Sequence, residues 1–369
     1  MTTLRNIPKS WSPPHCTNPN CKYHNDPDKS WRYKRIGTFR RPSDQKCIQR
    51  FLCKACKKSF STQTFSTTYW QKRPDIGLKL ITKVTGGMAD RQIARDLDVA
   101  PETVTRQIAR LGRHCLLFHQ FVMQNCPPPS EIVVDGFESF EFSQYFPMHH
   151  HVAVEKETDF FIYFTDSELR RKGRMTAYQK RRRQKLEMTL GRPDPKAIEK
   201  DMKELLVVVL RDLEKAIVYS DDHPAYRRAL KQIRTRVEHK ITPGKAHRDR
   251  RNNLWVINLL DRLIRHCNAN HTRETLAWSK RRQGSAYRLV IMLVWRNYMN
   301  GRREKTRGSP TPAMVKGLMD HHLTRSELLQ ERLFRTRCEL PPRWAEYYDQ
   351  RVETRAIERN RTHALKFAY

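Results

Sequence analysis

The sequence predicts a multi-domain α+β chain on three observations. Two short cysteine pairs, Cys16-x4-Cys21 and Cys53-x2-Cys56, stand near the N-terminus. A stretch of helical period follows them. Beyond a run of prolines the apolar segments come in the order strand, strand, strand, basic helical stretch, strand, helix, strand, helix, which is the order of a mixed α/β domain. The expected divisions are 1–68, 69–125, 130–300 with a basic helical insertion at about 168–213, and a C-terminal helical extension over 301–369.

The first unit rests on its cysteines. Nine cysteines in a chain with no secretory signal argue for metal ligation or buried thiols rather than disulfides. Two close pairs a few tens of residues apart suit a tetrahedral Zn(II) site in which each pair sits on a knuckle turn and the metal replaces a hydrophobic core. Trp11 to about Phe65 is therefore expected to be a zinc ribbon held by Cys16, Cys21, Cys53 and Cys56, with Cys47, His15 and His24 as competitors for ligand positions. "WRYKRIGTFRR" and "KCIQRFLC" alternate apolar and basic residues as strands do.

The second unit is helical. Ile76, Leu80, Ile81 and Val84 recur at helical spacing, and Gly86-Gly87 ends that helix. In "ADRQIARDLDVAPETVTRQIARLGRHC", Ile93, Ala94 and Leu97 face inward, Asp98-Val99-Ala100 turns the chain, and Pro101 opens a second helix bearing Val104, Ile108 and Leu111. Small Ala94 and Val99 allow two helices to cross closely, as a helix-turn-helix requires. Glu102, Thr103, Arg106 and Gln107 would then face a major groove; a plain helical hairpin is the competing reading.

"CPPPSEIVVDGFESF" marks the next boundary, because three prolines form a stiff linker. "EIVVDGF", "HHHVAVEKE" and "DFFIYFTD" read as three antiparallel strands. "KAIVYS" and "RVEHKI" read as two more, separated by the helix "PAYRRALKQI" and followed by the helix "NLWVINLLDRLIRHCNAN". That is the order of the ribonuclease H-like fold. It places Asp135, at the end of the first strand, beside Asp221, at the end of the fourth. Two carboxylates converging where a polyphosphate binds suit Mg(II) or Mn(II). Asp222, just before Pro224, is expected to cap the helix that follows. His149, His150 and His151 cannot share one face of a strand and are expected to be structural or DNA-facing.

Charge names the partner. Lys and Arg total 72 against 39 Asp and Glu, a net charge of +33 spread along the chain, which predicts a polyanion. No apolar run approaches the roughly 20 residues that span a bilayer, so nucleic acid is expected over membrane, in an intracellular protein.

The chain resembles bacterial insertion-sequence transposases of the DDE type. The resemblance lies in "RFLCKACKKSFS", the helix-turn-helix, "IVVDGFESFEFSQYFPMHHHVAV", "YSDDHPAYRRAL" and "RNNLWVINLLDRLIRHCNANHTRETLAWSKRRQGSAYRLVIMLVWRNY", and extends to the C-terminal "LPPRWAEYYDQRVETR". It implies a cytoplasmic, nucleoid-associated DNA transposase that binds terminal inverted repeats and cleaves and joins strands, as a homo-oligomer on element ends and target DNA. It implies structural Zn(II), catalytic Mg(II) or Mn(II), and Asp135 and Asp221 as two metal-binding acids. The third segment departs from the family pattern, since no glutamate occupies the helix; Asp261 takes that place here, with Glu274 in reserve. A DNA-binding regulator with an inactive catalytic domain and a nuclease without strand transfer are the alternatives.

Overall fold

The computed structural model describes residues 11–272, 275–303 and 305–357. The N-terminal unit is a three-stranded antiparallel sheet, β1 (Tyr33–Arg40), β2 (Cys47–Cys53) and β3 (Ser59–Ser61), in that order. Its core is small: Phe51, Phe60, Phe65, Trp31 and Tyr23 pack with Cys16, Cys21 and Cys53. So few apolar side chains rarely suffice for so short a unit without a cross-link or a metal.

Three helices follow, α1 (Ile76–Thr85), α2 (Asp90–Asp96) and α3 (Pro101–Met123). Gln92 Oε1 accepts the Ala89 N–H at 2.8 Å at the start of α2. Asp98, at φ 50°, makes the turn, and Pro101 stands at the head of α3, where its missing N–H costs nothing. The second half of α3 is not solvated. Leu111, Cys115, Leu116, Leu117 and Met123 are buried in the same core as the large sheet, so the three helices share that core instead of forming one of their own.

The large sheet comprises β4 (Glu131–Glu141), β5 (Ser143–Glu155), β6 (Phe161–Glu168), β7 (Lys215–Ser220) and β8 (Arg236–Ile241). Their spatial order is β6-β5-β4-β7-β8. The first three are antiparallel, and β7 and β8 run parallel to β4, as the segment order led us to expect. β4 and β5 are longer than their apolar cores, so the hairpin projects six residues past Asp135.

Residues 168–213, where the sequence offers a basic stretch and, after "GRPDP", the amphipathic "KAIEKDMKELLVVVLRDLE", form two helices with different surroundings. α4 (Ala177–Leu190) buries nothing, whereas α5 (Ala197–Val209) buries Met202, Leu205, Leu206 and Val209 and packs against β5 and β6. Its apolar stripe makes α5 part of the core. α6 (Pro224–Leu230) follows β7 and packs against α5, α7 (Trp255–Cys267) lies against β4 and β5, and α8 (Arg282–Val294) is buried against α3.

The C-terminal residues also differ from a simple extension. After the short α9 (Pro312–Val315) and α10 (Arg325–Leu328), the chain returns to the N-terminal unit. There Arg332 N–H donates to Phe65 O at 2.8 Å, and Thr336 Oγ1 meets His24 Nε2 at 2.7 Å. α11 (Pro342–Asp349) then buries Trp344, Tyr347 and Tyr348.

Candidate active site and metal centre

Register brings the first two acids together. Val133 on β4 pairs with Tyr219 on β7, so Asp135 and Asp221, each two residues further on, lie level on adjacent parallel strands. Neighbouring strands are about 4.8 Å apart, within reach of two carboxylates that approach one another. Asp135 Oδ1 accepts the Gly136 N–H at 2.7 Å, and Asp221 Oδ1 accepts the His223 N–H at 3.0 Å.

Asp261 comes from the other side. On α7, Ile257, Leu260, Ile264 and Cys267 form the buried stripe, and the helix lies against β4 and β5 with Asp261 at the stripe's edge. Its Oδ1 is buried with no hydrogen-bond partner. Burial, then repulsion from Asp135, raises the Asp261 carboxyl to about 8, while Arg265 and Arg248 pull the other way. Asp135 is pushed up to about 7 by burial and by Asp221, against the Gly136 N–H and Arg248. The Tyr226 phenol is raised chiefly by burial, but also by the fields of Asp135, Asp221 and Asp261 together. Three acids from three elements thus surround one point, two of them with little ion pairing to offset their charge. Glu274, the reserve third acid, lies outside the described residues.

Three features of this site were not read from the sequence. Tyr226 is buried on α6, within the fields of all three acids. Arg248 lies in the exposed loop joining β8 to α7, and its charge acts on two of the acids. Gly136 has a packing role: a Cβ there would come within 2.4 Å of the His149 ring and 2.8 Å of His150 O.

One reading needs correction. Asp222 does not cap α6: it is exposed, and His223 is the cap, its Nδ1 accepting the Ala225 N–H at 3.3 Å. Pro224 at the head of the helix shifts the cap to the residue directly before it. His149, His150 and His151 do alternate faces, but all three are buried, so none faces DNA. His151 contacts Ser167 Oγ at 2.7 Å, and the His150 ring stacks on Phe137.

In the N-terminal unit the Sγ atoms of Cys16, Cys21, Cys53 and Cys56 lie within 4.8 Å of one another. Cys16 and Cys56 are 3.6 Å apart, and Cys21 and Cys53 are 3.9 Å apart. A tetrahedron of Zn–S bonds of about 2.3 Å has edges of about 3.8 Å, so the set fits zinc. Although burial opposes it, the N–H groups of Cys56 and Ala55 and the Trp31 indole bring the Cys53 thiol down to about 7, whereas burial pushes the Cys16 and Cys21 thiols up. Of the competitors, Cys47 is exposed, and His15 and His24 both donate from Nδ1 to Cys16 O. Among the described residues this is the one group of three or more such donors close enough to share an ion. The acids face one another across a wider space.

On α3, Glu102 and Arg106 are exposed and Thr103 and Gln107 half-buried, all at the solvent end of the helix. Arg106 Nη2 donates to Thr103 Oγ1 at 3.4 Å.

No family profile matches the sequence, and no curated protein matches it. Among solved structures the chain is similar to a chain of a simian T-cell lymphotropic virus intasome in complex with PP2A regulatory subunit B56 gamma. That match has 12% identity, covers 57% of this chain and 69% of that one, and has a TM-score of 0.24. The HTLV-2 integrase catalytic core domain in complex with magnesium matches at 13% identity over 52% and 97%, TM-score 0.21. The Mos1 transposase paired-end complex with left transposon end matches at 12% over 44% and 57%, TM-score 0.15. These likenesses are slight, and the site stands on its own geometry.

Proposed function

We propose that the chain is a DNA transposase with a ribonuclease H-like catalytic domain, in which Asp135, Asp221 and Asp261 bind catalytic Mg(II) or Mn(II). One observation carries the reading: Asp135 and Asp221, far apart in sequence, lie level on adjacent parallel strands near Asp261 of α7, with the Asp135 and Asp261 carboxyls raised in pKa and a buried Asp261 oxygen left without a hydrogen-bond partner. A fold keeps such a cluster at a cost in stability, and perturbed groups of this kind concentrate at functional sites. Hard carboxylate oxygens suit Mg(II) or Mn(II), and the strongly basic chain suits a polyphosphate substrate.

Divalent ions, when bound, supply charge stabilisation at the scissile phosphodiester and a lowered pKa for the attacking water or 3′-hydroxyl. The chain's own residues do the rest. β4 and β7 hold Asp135 and Asp221 level, α7 presents Asp261 from the opposite side, and Tyr226 closes the floor against water. Arg248 is placed to meet the phosphate.

Cys16, Cys21, Cys53 and Cys56 hold structural Zn(II), and α3 offers Glu102, Thr103, Arg106 and Gln107 to the terminal inverted repeats. In this reading residues 1–68 form the zinc ribbon, 69–125 the helix-turn-helix region, 130–300 the catalytic domain and 301–369 the C-terminal segment.

The test is cleavage of a duplex carrying the element end, with and without Mg(II). Wild-type protein should release a 3′-hydroxyl only with the metal, and Asp221→Ala should abolish release while retaining end binding. Cleavage by Asp221→Ala at the wild-type rate would refute the assignment. Joining of the released end to a second duplex separates a transposase from a nuclease.

A further inference from the structure

The helix α4 has no place in the core and no part in the acid site. None of its 14 residues is buried. Its outward face carries Lys180, Arg181, Arg182 and Lys185, all exposed, with the exposed Tyr178 and Met188 among them. None of these four meets an acidic side chain among the described residues. The helix's own acid, Glu187, is taken by Arg170, at 2.8 Å and 3.0 Å, and by Arg183, at 3.4 Å. Arg183 also donates to Arg171 O at 3.0 Å, and Leu186 lies beside Tyr145, Phe146 and Pro147 at the start of β5. The helix is therefore pinned along its inner side, and its cations point outward unneutralised.

Such an arrangement costs self-repulsion and returns no packing. Like charges on adjacent helical turns destabilise a helix, so a partner of opposite charge accounts for it better than stability does. The position of α4 identifies the partner. β4 runs six residues from Asp135 to Glu141, about 20 Å at roughly 3.3 Å per residue, and α4 sits against that end of the hairpin. A duplex engaged at the acids and lying along the projecting hairpin would bring phosphates to α4 some six or more base pairs away, at about 3.4 Å per base pair.

We propose that α4 is a docking helix for the phosphate backbone of duplex DNA flanking the cleavage site, with Lys180, Arg181, Arg182 and Lys185 as its contacts. This deepens the transposase reading and rests on it, but its readout is binding. The experiment is equilibrium binding of a duplex of about 40 base pairs without magnesium, from about 50 to 200 mM salt. It compares wild-type protein with the variant carrying Lys180→Ala, Arg181→Ala, Arg182→Ala and Lys185→Ala. Since these side chains bury nothing, the variant should fold, and circular dichroism checks that it does. Each lost phosphate contact should remove about 0.9 from the slope of log affinity against log salt, so the slope should become shallower by about 3 to 4. In wild-type protein, trypsin should cut within 180–185 more slowly when duplex is present.

An unchanged slope in the folded variant would overturn the proposal, and so would equal trypsin cutting with and without duplex. Loss of binding to anionic lipid vesicles with duplex binding intact would assign the helix to a membrane surface and overturn it too. A chain that binds duplex through α4 but cuts nothing would sink the catalytic reading alone. One that cuts DNA while its binding ignores α4 would sink this one alone.

Discussion

Asp261→Asn should make the metal-free protein more stable at about pH 8 while destroying its response to magnesium. The carboxyl of Asp261 stands at about 8 in the fold against an ordinary 3.8, a difference of about four units. At about 1.4 kcal/mol per unit this bounds the burden at roughly 5 kcal/mol at pH 8. Part of that is repulsion shared with Asp135, so the expected gain is about 2 to 4 kcal/mol. The sign follows from proton counting. Between pH 4 and 8 the unfolded chain has released this proton and the folded chain has kept it, so stability falls as pH rises. The advantage of the Asn variant should therefore vanish near pH 4, grow through that window and level off above 8. Denaturant unfolding of both proteins across this range reads it directly. Magnesium at about 100 times its dissociation constant should add about 2.7 kcal/mol to wild type and little to the variant. A variant less stable than wild type at pH 8, or one that magnesium stabilises equally, would refute the reasoning.

Purified protein should hold about one zinc per chain by elemental analysis, and Cys53→Ser should lose it together with the near-ultraviolet signal of the small aromatic core. Asp222→Ala should change stability by less than about 0.5 kcal/mol, as an exposed residue outside the cap, whereas His223→Ala should cost about 1 kcal/mol; a thermal melt separates them. The protein should lose stability as pH falls below about 6.5. His114, His119 and His150 are held at about 4 and His149 at about 3, chiefly by burial, so the unfolded chain takes up their protons first. Substituting His150 by Gln should flatten that limb of the pH profile. Arg106→Ala should lower preference for the cognate end by about 1 to 3 kcal/mol and barely alter binding to random duplex, read by competition.

The parts of this architecture legible in the sequence are those written in short-range pattern. Alternation and helical period gave the strands and most helices, and the segment order implied which strands are neighbours. The nearness of Asp135 and Asp221 was legible for that reason, although the first strand was expected to end at Asp135 and instead runs on to Glu141. α5 was legible as the amphipathic segment "KAIEKDMKELLVVVLRDLE", but its seat on β5 and β6 through Met202, Leu205, Leu206 and Val209 was not, because the segment was counted with the basic insertion over 168–213. The cap of α6 slipped by one residue because aspartate is the commoner cap and the sequence offers Asp222 next to His223. Contacts spanning hundreds of residues, such as Thr336 with His24 or Arg332 with Phe65, leave no local trace at all. Tyr226 and Arg248 belong to the site only through that tertiary placement.

The length of α3 has a consequence for how reading and cutting are coupled. At about 1.5 Å per residue its 23 residues span about 35 Å, with Arg106 exposed near one end and the other end fixed in the core. Near that buried end His119 donates from Nε2 to Ile162 O on β6 at 2.9 Å and contacts Tyr298. Leu111 to Leu117 pack between α8 and the rest of the core. A helix-turn-helix on a flexible tether would let a bound end sample many positions relative to the acids. Here one continuous helix carries Arg106 near its exposed end and enters the core that positions the sheet, so the separation between Arg106 and Asp135 is fixed by packing. In the transposase reading this rigidity measures the distance from recognised sequence to cut phosphate, and inserting residues in α3 between Arg106 and Leu111 would shift the cut or abolish it without changing what is read.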